Sequence, residues 1–149
     1  MPSVTAHAVV AASPDAVFAY AADPANPPRY VEGLSTWEHC GGPERGLGSQ
    51  FRAGLHVGPK ELVTTVEITT YDEGAALGWD PVKGFGQSGH WTMTPDGEGT
   101  AIDFTVSYEM PGGMLGRLIG GMLGGVVQHT VDASVRNLKE QVEKNVQAG

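Results

Sequence analysis

The sequence predicts an α+β domain: about seven antiparallel strands in a curved sheet around a long C-terminal helix, with two short helices after the first strand. Three observations carry this. Between Leu34 and Met110 apolar residues recur with period two, and the breaks hold turn residues. Before that stretch, Ser13-Pro14-Asp15 has the composition of a helix start. After Pro111 the spacing becomes helical, with Val131, Val135, Leu138, Val142 and Val146 on one stripe. The 149 residues fit one unit, so a single ligand-binding domain spanning 1–149 is expected.

In chain order, residues 3–12 alternate loosely and are rich in Val and Ala, as a strand would be. Ser13 supplies an N-cap hydroxyl, Pro14 the first helical position and Asp15 an acid in the first turn. Val17, Phe18 and Ala21 follow at helical spacing, so the helix should reach about Ala22. Pro27-Pro28 stops a longer helix and leaves one further turn through Arg29 and Tyr30 to Glu32. Strands are then expected at 35–40, 49–57, 61–71, 75–80, 89–94 and 100–110. Gly41-Gly42-Pro43, Gly58-Pro59, Asp72-Glu73-Gly74 and Pro95-Asp96-Gly97 separate them. Connections this short imply antiparallel hairpins.

The last strand alternates most clearly. Ile102, Phe104, Val106 and Tyr108 share one face; Asp103, Thr105, Ser107 and Glu109 share the other. Its hairpin partner sets Trp91 and Met93 against His90, Thr92 and Thr94. One face is therefore apolar and one wetted, as in a sheet covered on a single side. The C-terminal segment should be the cover. Within it, the stripe of Leu115, Ile119, Met122 and Val126 sits roughly 160° around the helix from the later stripe. One straight helix cannot press both onto the same sheet face. A bend or break is expected near Gly124-Gly125, leaving residues before it as a flap or the end of a bent helix.

Charge narrows the function. Lys and Arg total 9 against 17 Asp and Glu, a net charge of −8. Residues 1–75 hold 4 basic and 9 acidic side chains, and residues 76–149 hold 5 and 8. With no basic half, neither nucleic acid nor an anionic lipid surface is an expected partner. Cys40 is the only cysteine, so an intrachain disulfide is excluded. The first basic residue is Arg29, no signal peptide is apparent, and no stretch reaches the roughly 20 apolar residues of a membrane span. A soluble cytoplasmic protein is expected.

Candidate chemistry is sparse. The histidines at 7, 39, 56, 90 and 129 include no helical i, i+4 pair, so no metal site is expected. Gly84-Phe85-Gly86-Gln87-Ser88-Gly89 matches the letters of a dinucleotide loop but precedes a strand rather than a helix, so it reads as a loop, and no cofactor is expected. His129 flanks the stripe of Met122 and Val126, where it could serve as a general base or sit satisfied at the core's edge. Tyr108 could offer its hydroxyl to a ligand or simply fill the core. Arg117, the only charge between Met110 and Val131, could meet a ligand carboxylate or snorkel to water. Gly116, Gly120 and Gly124, with Gly121 and Gly125, would line a helix with small residues. That pattern suits a hinged gate, a patch touching a membrane or second subunit, or tight local packing.

Residues 12–20, Ala-Ser-Pro-Asp-Ala-Val-Phe-Ala-Tyr, with Asp23-Pro24-Ala25-Asn26 and Arg29-Tyr30, resemble the opening signature of the polyketide cyclase/dehydrase group of the START-like (SRPBCC) superfamily. Gly48-Ser49-Gln50-Phe51 resembles its third strand. Trp91-Thr92-Met93-Thr94-Pro95 through Gly99-Thr100-Ala101-Ile102 resembles its last hairpin. Tyr30 stands where that group often has tryptophan, and 110–125 is unusually rich in glycine and methionine. The resemblance implies a helix-grip (Bet v 1/START-like) fold around an apolar cavity. Such proteins bind lipids, sterols, quinones or polyketides, and some cyclise their ligand. They share no catalytic set, so no catalytic residue carries over.

The expected function is binding, or transport, of a small hydrophobic ligand in that cavity. By alternation its lining should include Phe51, Leu55, Trp91, Met93, Phe104 and Tyr108, closed by Leu115, Ile119, Met122 and Val126. The alternatives are a cyclase, aromatase or dehydratase using His129, Tyr108 or Arg117, and a protein-interaction module acting through 112–125. Transient membrane contact and oligomeric state stay open.

Overall fold

The computed structural model describes residues 2–57, 59–109 and 113–148, with side chains except at 57, 113–123, 147 and 148. In order, the chain forms β1 (Ser3–Val10), α1 (Pro14–Ala22), α2 (Pro27–Tyr30), β2 (Leu34–Gly41), β3 (Gln50–Val57) and β4 (Lys60–Asp72). These are followed by β5 (Ala76–Gly84), β6 (Gln87–Asp96), β7 (Gly99–Tyr108) and α3 (Gly113–Ala148). The strands make one antiparallel curved sheet ordered β1-β7-β6-β5-β4-β3-β2. Strands β2 to β7 follow one another as hairpins, and β1 returns to the far edge, pairing Ser3 with Ser107 and Val10 with Thr100. Among the described residues no helix is long and apolar enough to cross a membrane.

Local chemistry sets the ends of these elements. Ser13 caps α1, its Oγ accepting from the Ala16 amide at 3.2 Å. The double proline opens α2, the one further turn expected there, because a proline lacks an amide that the first turn leaves unpaired anyway. Tyr30 then donates its hydroxyl to the Ala21 carbonyl at 2.7 Å and ties α2 to α1. Burial, with Tyr20 nearby, pushes that hydroxyl far above its ordinary pKa, so it stays a donor. The glycine run 84–89 lies in the β5–β6 hairpin. Gly84 adopts φ +84°, and a Cβ there would sit 2.4 Å from the Val63 carbonyl oxygen. The run is a turn with no helix behind it to receive a phosphate.

The core lies on the concave face. Val10, Val17, Trp91, Ile102, Val131, Leu138 and Val142 are fully buried there. Helix α3 continues through Gly124-Gly125 for 36 residues, so the expected break is absent. Each interior glycine costs only about 1 kcal/mol against alanine. The packing of Val131, Val135, Leu138 and Val142 outweighs that and holds the helix in one piece. Val146, one turn further on, is 46% exposed and leaves the stripe. Leu115, Arg117, Ile119 and Met122 belong to α3, but their side chains lie outside the described residues. So does Gly112 at the start of the proposed interaction segment.

The helix is moored to β1 by charge. Glu143 Oε2 accepts from Lys139 Nζ at 2.6 Å and from the Ala11 amide at 2.8 Å, while Lys139 also reaches the Val9 carbonyl at 2.9 Å. The Lys139 bond first, then the Ala11 bond, holds the Glu143 carboxyl below its ordinary range. A carboxylate depressed on folding adds stability above its unfolded pKa of about 4.3 and loses it as pH falls through the folded value. Glu143→Gln should therefore lower the urea midpoint at pH 7, with the gap from wild type closing under acid. A gap that persists below that range would contradict the assignment.

Candidate functional site

Between the sheet and α3 the core leaves a cavity. Its volume is about 130 Å³, where a single water needs about 10–15 Å³. The space suits a ligand of many heavy atoms. Its walls come from four places: Ala21, Pro27 and Tyr30 of α1 and α2, Phe51 and Val66 of β3 and β4, Trp79 and Phe104 of β5 and β7, and Val127, Val131 and Ser134 of α3.

Aromatic rings shape these walls. Trp37 stacks on Phe51 with centroids 4.3 Å apart and planes 8° from parallel. Trp79 crosses β6 over Gly89, where an added Cβ would come within 2.2 Å of the indole. That missing side chain lets Trp79 Nε1 reach Gln87 Oε1 at 3.0 Å. Phe104 faces the cavity on one side, and on the other stacks on Trp91 at 4.0 Å and 4°.

Charged groups stand among the lining residues too. Arg45, on the β2–β3 loop, pairs with Asp23 at 3.7 Å, and Trp37 Nε1 donates to the Pro24 carbonyl at 2.9 Å. One contact ties the loop, and the other ties β2, to the α1–α2 turn. The Glu32 amide donates to Ser134 Oγ at 3.0 Å, and its carboxylate accepts from Asn137 Nδ2 at 3.2 Å. This joins the end of α2 to α3.

Of the residues expected to line the space, Phe51, Leu55, Phe104, Tyr108 and Val126 do so. Trp91 and Met93 do not: they are 0% and 3% exposed and belong to the packed core, with Trp91 lying behind Phe104. Their strand parity was read correctly, but parity fixes a face and not a height along it. Leu115, Ile119 and Met122, and Arg117 with them, fall outside the described side chains. His129 is exposed and off the cavity, neither a lining base nor a core histidine. It stands two residues beyond the lining Val127, about 200° around the helix. Tyr108 is buried and on the wall.

Sequence reasoning missed Trp79 and Gln87. Beginning β6 at Gly89 hid Gln87, although the same alternation extended by two residues puts it on the face of Trp91 and Met93. Trp79 was legible only as a partner of the glycine at 89.

A curved sheet that closes on a long helix around an apolar cavity defines a helix-grip protein of the START-like class. Residues 1–143 match the family described as polyketide cyclase / dehydrase and lipid transport, and the chain belongs to it. Solved structures agree on the fold. A protein of Thermus thermophilus superposes with a TM-score of 0.83 at 23% identity, covering 97% of this chain and 99% of that one. The Zhui aromatase/cyclase of a Streptomyces species gives 0.83 at 18% identity, covering 99% and 96%. A START superfamily protein of Mycobacterium smegmatis gives 0.67 at 18%, covering 96% and 98%. No curated protein matches the chain.

Proposed function

We propose that this protein binds a small hydrophobic molecule, lipid-like or polyketide-like, in the cavity beneath α3 and carries it in the cytoplasm. The observation that carries the reading is an apolar, aromatic-walled space left open beside a closely packed core. Burying apolar ligand surface there gains about 25 cal/mol per Å². Few polar groups interrupt the wall, as in pockets that select by shape and one or two anchors. The family to which the chain belongs is described by lipid transport as well as by cyclisation.

Cyclase or dehydratase chemistry in the same cavity has thinner support. Proton abstraction needs a base beside the reacting carbon. Among the described lining residues the ordinary bases are Glu32, already bound to Asn137, and the exposed His56. The interaction-module reading rests on 112–125, where only Gly124 and Gly125 are fully described.

Native mass spectrometry of protein purified without detergent should show a bound apolar mass that organic solvent releases. The emission of anilinonaphthalene sulfonate should also rise on binding after that extraction. Absence of both signals would overturn the reading.

A further inference from the structure

We infer that Gln87 and Tyr108 form a paired donor site, oriented by Trp79, that holds an uncharged carbonyl oxygen at one end of the cavity. This rests on the ligand-binding reading above and adds what the ligand must present. Gln87 on β6 and Tyr108 on β7 are direct partners in the antiparallel register. Both are buried, at 8% and 4% exposure, and both line the cavity. Directly opposed side chains stand about 5 Å apart at Cβ, close enough to share one ligand atom.

Trp79 decides which way the Gln87 amide faces. An indole N–H can only donate, so the atom it meets at 3.0 Å is the amide oxygen. The amide nitrogen, with two N–H donors, is turned to the other side. Neither that nitrogen nor the Tyr108 hydroxyl has a hydrogen-bond partner among the described residues. The helix position beside the hydroxyl is Gly124, where even an added Cβ would lie 3.6 Å from the oxygen. Leu62, Phe85, Val126 and Val127 surround Tyr108 and keep this end apolar.

Two sheltered donors ask for an acceptor. Left unpaired they oppose binding of a pure hydrocarbon, and a ligand oxygen relieves that penalty. The oxygen should be neutral, because among the described residues at this end a carboxylate would lose its hydration without gaining a counter-charge. Arg45 sits on the loop before β3, at the opposite end of that strand from Leu55, and is committed to Asp23.

Fluorenone and fluorene, which share a ring system and differ by one carbonyl oxygen, test this by titration of tryptophan fluorescence. Fluorenone should bind wild type about tenfold more tightly. Gln87→Glu, which keeps an acceptor for Trp79 but removes the amide donors, and Tyr108→Phe should each erode that preference. The double variant should erase it while still binding fluorene, which no longer leaves those donors unpaired. The carbonyl stretch of bound fluorenone should be lowered in wild type and return towards its free value in the double variant. Equal preference in wild type and double variant, with fluorene still bound, overturns the donor site and leaves the cavity reading standing. Failure of wild type to bind either compound overturns both.

Discussion

Replacing Trp91 with alanine should remove about 3–5 kcal/mol of folding stability, measured by urea unfolding at pH 7. The ring is wholly buried between a stacked Phe104 at 4.0 Å and an edge-on Tyr30 at 5.9 Å. A domain of this size has about 5–15 kcal/mol in total, so the loss takes about a fifth of it or more. The melting temperature should fall by roughly 6–20 °C. Trp91→Phe should cost much less. It keeps an aromatic ring against Phe104 and removes an indole N–H that has no partner among the described residues. Size of the cavity term depends on how far neighbours relax, and Ile102 and Val10 are already at 0% exposure. A Trp91→Ala loss below about 1 kcal/mol would show that Phe104 swings off the cavity wall to fill the hole.

The same ring shows what the sequence could and could not reveal. Alternation placed Trp91, Met93, Phe104 and Tyr108 on one face, and they are all inside. What separates wall from core along that face is where α1, α2 and α3 press down, and no strand carries that information in its own residues. Phe104 meets the cavity while Trp91, its register partner, does not. Helix phase was legible for Val131, Val135, Leu138 and Val142, whose stripe is buried as expected. At the glycine pair the helix does not break, because tertiary packing overrides local propensity. Proline was legible at α2, where the pair that bars a longer helix leaves the single turn expected through Arg29 and Tyr30. Family resemblance supplied the fold over the whole chain. It left the ligand open, because the anchors that distinguish one ligand from another are particular side chains such as Gln87.

Val127→Trp should lower affinity for anilinonaphthalene sulfonate by tenfold or more while the protein stays folded. Val127 is half-buried on α3, lines the cavity, and packs against both the main core and the Leu62–Tyr108 cluster. An indole there grows into vacant space, so the overpacking cost should fall at the lower end of the usual 1–3 kcal/mol. Affinity falls because the added ring occupies volume the dye needs, and 1.4 kcal/mol of lost contact already gives a factor of ten. Val146→Trp supplies the control, since it adds the same ring to the same helix at a position 46% exposed. It should leave dye affinity as in wild type. If the two variants instead bind alike, the dye sits on the surface of α3, and the space beneath the helix loses its claim to be the binding site. If Val127→Trp alone weakens binding, the ligand enters between α3 and the sheet, where the donors of Gln87 and Tyr108 await it.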